Sequence, residues 1–297
     1  MSKVLTIVGP TASGKSDAGI RLAKLFNGEI INGDSIQVYR QLNIGSAKIK
    51  EEEMDGVIHH LLSYVDVGEQ YNVKRFQDDA RGKIREIEER GHLPIVVGGT
   101  GLYIKALLYD YDFVDNPEKL EQYEEEDTNS LYEKLKKIDP SSLEKIHPNN
   151  RKRIVRALQI AQSGYLKSQQ EEKQKHEMVY DSYVLGLTME REVLKQRIDL
   201  RVDKMFKEGL LEEVTHLNDD YSWSDHGLHG IGYKEFKEYF EGNQSLEETK
   251  TLIKTHTRQF AKRQYTWWNH QMDVHWHNVL EEGYSKMEEN VRRWLSE

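Results

Sequence analysis

The sequence contains no cysteine among its 297 residues. This absence excludes disulfide bonds, thiolate catalysis and cysteine-ligated zinc. No apolar run approaches the ~20 residues that a membrane-spanning helix needs. The apolar run at residues 4–8 is also too short for a secretion signal. We therefore expect a soluble, cytoplasmic protein with no membrane partner.

Carboxylates outnumber cations, which gives a formal net charge of −9. This balance does not exclude a nucleic-acid partner, because phosphate binding depends on where the cations lie. Residues 145–156 and 250–263 each contain five Lys or Arg residues and no carboxylate. Both stretches are candidate phosphate-binding surfaces, and ordinary solvated helix faces are the alternative.

Strand and helix patterns alternate through the first third of the chain. Apolar runs at residues 4–8, 29–32 and 93–97 indicate buried strands, and residues 15–26 and 73–90 have helical periodicity. This alternation is typical of a parallel sheet with helices on both faces. The sequence therefore predicts an α/β fold.

The composition changes after about residue 111. Residues 113–179 are polar, with helical patterns and no clear strand, whereas strand patterns return at residues 183–188 and 274–276. Residues 190–217 and 246–268 have the patterns of long helices. We expect a catalytic core of residues 1–112 and 180–297, interrupted by a helical insertion domain of residues 113–179.

A phosphate-binding motif lies between the first predicted strand and helix. Residues 9–16 read GPTASGKS and match G-x-x-x-x-G-K-[ST]. Such a loop directs several backbone N–H groups at one anion, and the helix dipole adds to the attraction. The predicted nucleotide- or diphosphate-binding residues are Gly9, Pro10, Thr11, Ala12, Ser13, Gly14, Lys15 and Ser16. Lys15 would neutralise a terminal phosphate, and Ser16 would ligate Mg²⁺.

ATPases and kinases usually place an acid at the end of a further apolar strand. The run at residues 93–97 is followed instead by GGTG at residues 98–101. An acid, Asp34, does follow the predicted strand at residues 29–32, where it would activate an acceptor hydroxyl in a small-molecule kinase. Two interpretations stay open at this point, a kinase that binds ATP and another transferase with a diphosphate leaving group.

Six segments together resemble the tRNA dimethylallyltransferases, also called tRNA isopentenyltransferases, over nearly the whole chain. They are residues 9–16, GDSIQVYR at 33–40, GGTGLY at 98–103, HPNNRKR with RAL at 147–158, GIGYKE at 230–235 and TRQFAKRQ at 257–264. The lack of a cysteine-histidine zinc finger is similar to the bacterial branch. The resemblance implies a P-loop NTPase-like core. It also implies a reaction in which N6 of the tRNA adenosine beside the anticodon, position 37, attacks dimethylallyl diphosphate and releases diphosphate.

That reaction assigns roles to three catalytic candidates, Asp34, Thr11 and Lys15. Asp34 is the candidate general base, because a positioned carboxylate can take a proton from the adenine amine during attack. Lys15 and Mg²⁺, the expected cofactor, would stabilise the departing diphosphate, and Thr11 would reach either the leaving oxygen or the first carbons of the donor. Arg191, Arg197 and Arg201 are further candidates for clamping the diphosphate, and the sequence does not decide among them.

The target base must leave the stacked anticodon loop to reach the donor. Residues beside Asp34 and in the 98–101 loop would then read the base, while basic residues grip stem phosphates. The predicted tRNA-binding residues are Asp34, Ser35, Ile36, Gln37, Thr100, Arg151, Lys152, Arg153, Arg156, Gly232, Tyr233, Lys234, Arg258, Lys262 and Arg263. Tyr233 is a candidate for stacking on a base. We expect the insertion to contact the anticodon stem and the protein to act as a monomer.

Three other functions compete with this one. A small-molecule kinase and an adenylate isopentenyltransferase acting on free AMP share the P-loop, but neither needs two basic stretches or a long helical insertion. A non-catalytic tRNA-binding or nucleotide-sensing protein is the third alternative. An acid at Asp34 opposite an intact P-loop argues against it.

Overall fold

A computed structural model describes residues 1–111, 113, 123, 125–169 and 177–297. The chain divides into two compact units, one of Met1–Leu108 with Val179–Glu297 and the other of Tyr109–Met178. The expected insertion at residues 113–179 includes residues 114–122, 124 and 170–176, which lie outside the described residues. In the described part of the chain, no helix is both long and apolar enough to cross a membrane.

The larger unit is built on a six-stranded parallel sheet. Its strands are β1 (Lys3–Val8), β2 (Gly28–Asn32), β3 (His59–His60), β4 (Leu93–Val97), β5 (Asp181–Thr188) and β6 (His275–Asn278). They lie in the order β3-β2-β4-β1-β5-β6, and every neighbouring pair is parallel. The predicted parallel α/β fold is confirmed. Strand β3 was not predicted, because two histidines carry no apolar strand pattern.

Ten described α-helices follow one another along the chain. They are α1 (Lys15–Phe26), α2 (Val73–Glu89), α3 (Gly101–Leu108), α4 (Thr128–Ile138), α5 (Arg151–Gln162), α6 (Arg191–Lys207), α7 (Leu210–Asp220), α8 (Lys237–Phe240), α9 (Leu246–Gln271) and α10 (Val279–Ser296, with a non-helical residue at Gly283). Short 3₁₀ helices occupy Glu51–Glu53, Pro140–Glu144, His226–His229 and Lys234–Phe236.

The helical pattern predicted at residues 190–217 is divided into α6 and α7 at Gly209. This residue has φ 102°, in the left-handed region that ends a helix at little cost only for glycine. The periodicity of the two helices is nearly continuous in sequence. The prediction therefore missed the turn between them.

The core of the larger unit lies between the sheet and the helices that cover it. Leu5 and Ile7 of β1 pack against Leu22 of α1 and against Met287 and Val291 of α10, and all five are fully buried. Burying side chains of this size contributes about 1.5–3 kcal/mol each. This packing holds the ends of the strands in fixed positions.

The smaller unit is helical where it is described. Helices α4 and α5 pack through Leu131, Leu135, Ile154 and Leu158, all of which are buried. The helix N-termini are capped by side chains, Asp127 at α4 and Asn150 at α5, which satisfy N–H groups that have no partner inside the helix.

Candidate active site

The glycine-rich loop of residues 9–16 follows β1 and ends in the first turn of α1. Its backbone has positive φ at Gly9 (140°), Ala12 (65°) and Gly14 (92°). A Cβ atom at Gly9 would lie 2.5 Å from the Leu187 carbonyl oxygen of β5. The first motif position therefore requires glycine for space as well as for conformation.

Loops that follow three neighbouring strands open at one edge of the sheet. The phosphate-binding loop follows β1, Asp34 follows β2, and Gly98 follows β4. Hydrogen bonds tie the loops to neighbouring strands, from Gly98 N–H to the Ile7 carbonyl of β1 (3.1 Å) and from Gly33 N–H to the Val97 carbonyl of β4 (2.8 Å). Ligands of open α/β sheets bind at this carboxyl edge.

Lys15 lies partly buried against its own loop. Its Nζ donates a hydrogen bond to the Pro10 carbonyl at 2.7 Å. Burial and the charge of Arg201 lower the pKa of Lys15 from 10.5 to about 7, although Asp34 acts in the opposite direction. The amine is therefore a site where an arriving anion would restore a full positive charge.

A cavity connects the phosphate-binding loop to Asp34. Three cations face it, Lys15 from the loop and Arg197 and Arg201 from α6. An alanine Cβ at Gly14 would lie 4.0 Å from a guanidinium nitrogen of Arg197, so this arginine lies directly over the loop. The cavity is also lined by Thr11, Ser16, Asp34, Gln37, Gly98, Gly99, Phe260 and Gln264. The cations Lys15, Arg197 and Arg201 outnumber the carboxylates of Asp17 and Asp34, which also line the cavity, so its charge favours an anion.

The Asp34 carboxylate is held at the edge of this cavity by local hydrogen bonds. The Asn32 side chain accepts from Asp34 N–H (3.1 Å) and donates to the Asp34 carbonyl (3.1 Å). Oδ1 of Asp34 accepts from Ile36 N–H at 2.9 Å. Such an Asx turn fixes one carboxylate oxygen and aims the side chain away from the strand.

A second cavity adjoins the first one. Six residues line both cavities, namely Thr11, Asp34, Ser46, Ala47, Arg201 and Phe260. The second cavity is also bounded by Ser35, Ile36, Thr100, His229, Gly230, Ile231, Gly232, Ile253, Thr257 and Arg263. Asp34 and Thr11 therefore lie at the boundary between the cationic cavity and a less polar one.

Two of the predicted base-reading side chains are engaged within the protein. Ser35 N–H donates to Thr100 Oγ1 at 3.0 Å, which ties the loop after β2 to the loop after β4. Nε2 of Gln37 donates to the Ser46 and Ala47 carbonyls at 3.1 and 3.3 Å. Gln37 lines the first cavity and Thr100 lines the second. The hydrogen bonds of these two side chains therefore also fix the shape of the cavities.

Tyr233 was predicted to stack on a base, but its ring is buried and cannot do so. The residue is 0% exposed, and its hydroxyl donates to Glu213 (2.8 Å) and accepts from Ser46 N–H (3.0 Å). The neighbouring Gly232 lines the second cavity, whereas Lys234 is exposed. The tyrosine of this motif therefore packs in the core, and the sequence alone could not distinguish a buried aromatic ring from one that stacks on a base.

The predicted basic residues of α9 differ in their surroundings. Arg258 pairs with Asp199 of α6 at 3.5 Å, whereas Lys262 and Arg263 are exposed. In the smaller unit, Arg151 donates to backbone carbonyls of Tyr123 and Glu126. Lys152, Arg153 and Arg156 are exposed on α5.

The sequence did not decide which of the three candidate arginines line the cavity, and it assigned no role to Gln264. Of the three arginine candidates, Arg197 and Arg201 line the cavity, and Arg191 is exposed near the start of α6. Their spacing of four residues places them on one helix face, which was an available signal. For Gln264 the signal would have been its place on one face with residues 253, 257 and 260.

The parallel sheet, the phosphate-binding loop and the cationic cavity define a protein of the P-loop NTPase-like class. Residues 37–271 match the IPP transferase family, and residues 2–69 match the isopentenyl transferase family. The chain belongs to the IPP transferase family and is an enzyme of the tRNA dimethylallyltransferase type. The expected resemblance is confirmed.

Relatives cover almost the entire chain. A tRNA dimethylallyltransferase from Bacillus cytotoxicus is 46% identical over 287 residues, which cover 94% of this chain and 91% of the relative. One from Bacillus anthracis is 48% identical over the same shares of both chains. The solved tRNA isopentenylpyrophosphate transferase of Bacillus halodurans has a TM-score of 0.78 at 39% identity, covering 100% of this chain and 97% of that one. A eukaryotic dimethylallyltransferase that acts on tRNA has a TM-score of 0.85 at 34% identity, covering 98% and 78%.

Proposed function

We propose that this enzyme transfers a dimethylallyl group from dimethylallyl diphosphate to N6 of the adenosine at position 37 of tRNA, and releases diphosphate. The observation that carries the proposal is the shared boundary of the two cavities. Asp34 and Thr11 line both the cationic cavity and the neighbouring one. An anionic donor in the first cavity and a base in the second would therefore meet at the residues that line both cavities, among which Asp34 supplies a carboxylate and Thr11 a hydroxyl.

The donor's diphosphate fits the cations of the first cavity. Lys15, Arg197 and Arg201 would balance the charge that develops on the leaving oxygen. The hydroxyl of Ser13 is buried and has no hydrogen-bond partner among the described residues. A buried polar group of this kind needs a partner, and a phosphate oxygen beside the loop would supply it.

The oxygen donors in the cavity are compatible with Mg²⁺. No group of three or more His, Asp or Glu suited to a metal occurs in the described part of the chain. Mg²⁺ does not require such a group, since it commonly binds substrate phosphates and one or two protein oxygens. Ser16 would be the protein ligand, and the bound ion would neutralise charge on the diphosphate.

The acceptor side of the reaction centres on Asp34. Its carboxylate would accept the N6 proton as the N6–C1 bond forms and the C1–oxygen bond to diphosphate breaks. General-base catalysis of this kind is worth roughly 10²–10⁴ in rate. Thr11 would contact the leaving oxygen from the opposite side of the reacting carbon.

The RNA would be gripped at several places around the second cavity and on the helices. We propose that Ser35, Thr100 and Gly232 border the flipped base, with Lys262 and Arg263 contacting nearby phosphates. The exposed cations of α5, which are Lys152, Arg153 and Arg156, would contact the anticodon stem. A role of the insertion in stem binding rests on these three cations.

The test combines tRNA, dimethylallyl diphosphate and Mg²⁺, followed by mass spectrometry of the tRNA nucleosides. We expect prenylated adenosine at position 37. Asp34→Asn should lower kcat by roughly 10²–10⁴ and leave donor affinity nearly unchanged. Asp78→Asn is the matched control, because this exposed aspartate of α2 lies outside both cavities and pairs with Lys74 on the same helix. Prenylation of free AMP, or phosphate transfer from ATP without prenylation, would support the alternatives instead.

A further inference from the structure

The Gln264 side chain joins two loops that line the cationic cavity. Its Oε1 accepts a hydrogen bond from Thr11 N–H at 2.9 Å, and its Nε2 donates to the Gly99 carbonyl at 2.9 Å. Gln264 is only 6% exposed. A glutamine amide supplies the acceptor and the donor that this bridge needs, whereas a hydrophobic side chain of similar length supplies neither.

The loop that Gln264 holds adopts an unfavourable conformation beside the bridge. Ala12 has φ 65°, and a non-glycine residue in the left-handed region costs roughly 1–2 kcal/mol. Its side chain packs against Ile198 of α6 and Ala261 of α9. The two helices therefore hold the tip of the phosphate-binding loop in place, through packing at Ala12 and hydrogen bonding at Thr11.

This arrangement has a consequence for the reaction. The Thr11 N–H is directed to Gln264, so the amides available to a diphosphate come from the later part of the loop. The position of Thr11, which lines both cavities, depends on the Gln264 amide. Helix α9 also carries the exposed Lys262 and Arg263 within two residues of this bridge.

We infer that Gln264 is a positioning residue that holds Thr11 and the phosphate-binding loop in the geometry required for prenyl transfer. This role rests on the proposed function, and Gln264 itself need not touch either substrate. A displacement of about 1 Å in a reacting group can cost roughly 10²-fold in rate. Loss of the bridge should therefore lower kcat much more than it changes the KM for tRNA.

Two variants remove the bridge by different routes. Gln264→Met keeps the side-chain length and loses both hydrogen bonds. Gly99→Ala keeps glutamine at position 264. The new Cβ would lie 2.3 Å from the Gln264 Nε2, however, and would force the amide away from the Gly99 carbonyl. Gln271→Met is the matched control, since this exposed residue ends the same helix, lies outside the cationic cavity and accepts a hydrogen bond from Lys105.

Steady-state kinetics with dimethylallyl diphosphate and tRNA would be measured for each variant, together with Tm. We expect kcat to fall about 10²-fold for Gln264→Met and Gly99→Ala, with KM for tRNA within about threefold of wild type and the control unchanged. Adding Gly99→Ala to Gln264→Ala should cost little more than Gln264→Ala alone, because both act on one bridge.

Three outcomes would overturn the inference. The first is a kcat within threefold of wild type in folded Gln264→Met and Gly99→Ala. The second is a loss fully explained by a lower folded fraction, which would mean that Gln264 acts only on stability. The third is full additivity in the double variant. Absence of any transfer by the wild-type protein would instead reject the proposed function, and this inference with it.

Discussion

The amine of Lys15 should determine how diphosphate binding depends on pH. Burial and the charge of Arg201 lower its pKa to about 7 in the free protein, with Asp34 acting in the opposite direction. A bound diphosphate favours the charged amine and would return its pKa toward the ordinary value of 10.5. Binding above pH 7 therefore requires the uptake of a proton.

The sign and size of the effect follow from these two values. Below pH 7 the amine is already charged, so this group makes no contribution to the pH dependence. Above pH 7 each pH unit weakens binding by up to tenfold, or about 1.4 kcal/mol. Between pH 7 and pH 9 we expect the Kd for inorganic diphosphate to rise roughly 50-fold.

Calorimetric titration with inorganic diphosphate at constant Mg²⁺ and salt would measure this dependence from pH 6.5 to pH 9. Two buffers with different ionisation enthalpies would count the protons taken up. Lys15→Met should bind more weakly at pH 7 and lose the additional slope, whereas Lys24→Met, an exposed lysine of the same helix, should behave as wild type. Ionisation of the diphosphate affects all three proteins equally. Equal slopes for wild type and Lys15→Met would refute the reasoning.

The remaining predictions concern stability and RNA binding. Glu29 is 1% exposed, and hydrogen bonds from Arg90, His60 and His92 outweigh its burial and lower its pKa from 4.5 to about 2. Glu29→Gln should therefore lower the free energy of unfolding in urea by about 3 kcal/mol at pH 7. The difference from wild type should shrink as the pH falls from 4.5 toward 2, because Glu29 then becomes protonated. An equal difference at pH 7 and pH 2 would contradict this. Lys262→Ala should lower the salt slope of tRNA binding by about one, and Arg258→Ala by less, since Arg258 already pairs with Asp199. Filter binding at several salt concentrations would measure both slopes, and a larger change for Arg258→Ala would place Arg258 rather than Lys262 at the RNA.

Much of the fold could be predicted from local patterns in the sequence. The strand at residues 93–97 and the helix at residues 15–26 were predicted with the observed bounds. Apolar runs and helical periodicity are properties of residues that are close in the sequence, so they can be recognised without knowledge of the tertiary structure. Strand β3 was missed for the opposite reason, since its pairing with β2 depends on a distant segment.

The sequence by itself determined the phosphate-binding loop, because the spacing of its glycines and lysine is a local requirement for wrapping backbone N–H groups around an anion. It also supplied an acid at the end of the second strand. Only the tertiary structure decided which distant side chains accompany them. Burial excluded the Tyr233 ring, the packing of α6 selected Arg197 and Arg201, and the packing of α9 placed Gln264 on the loop. Contacts between residues 253 positions apart leave no trace in a local pattern, since they arise only when the chain has folded.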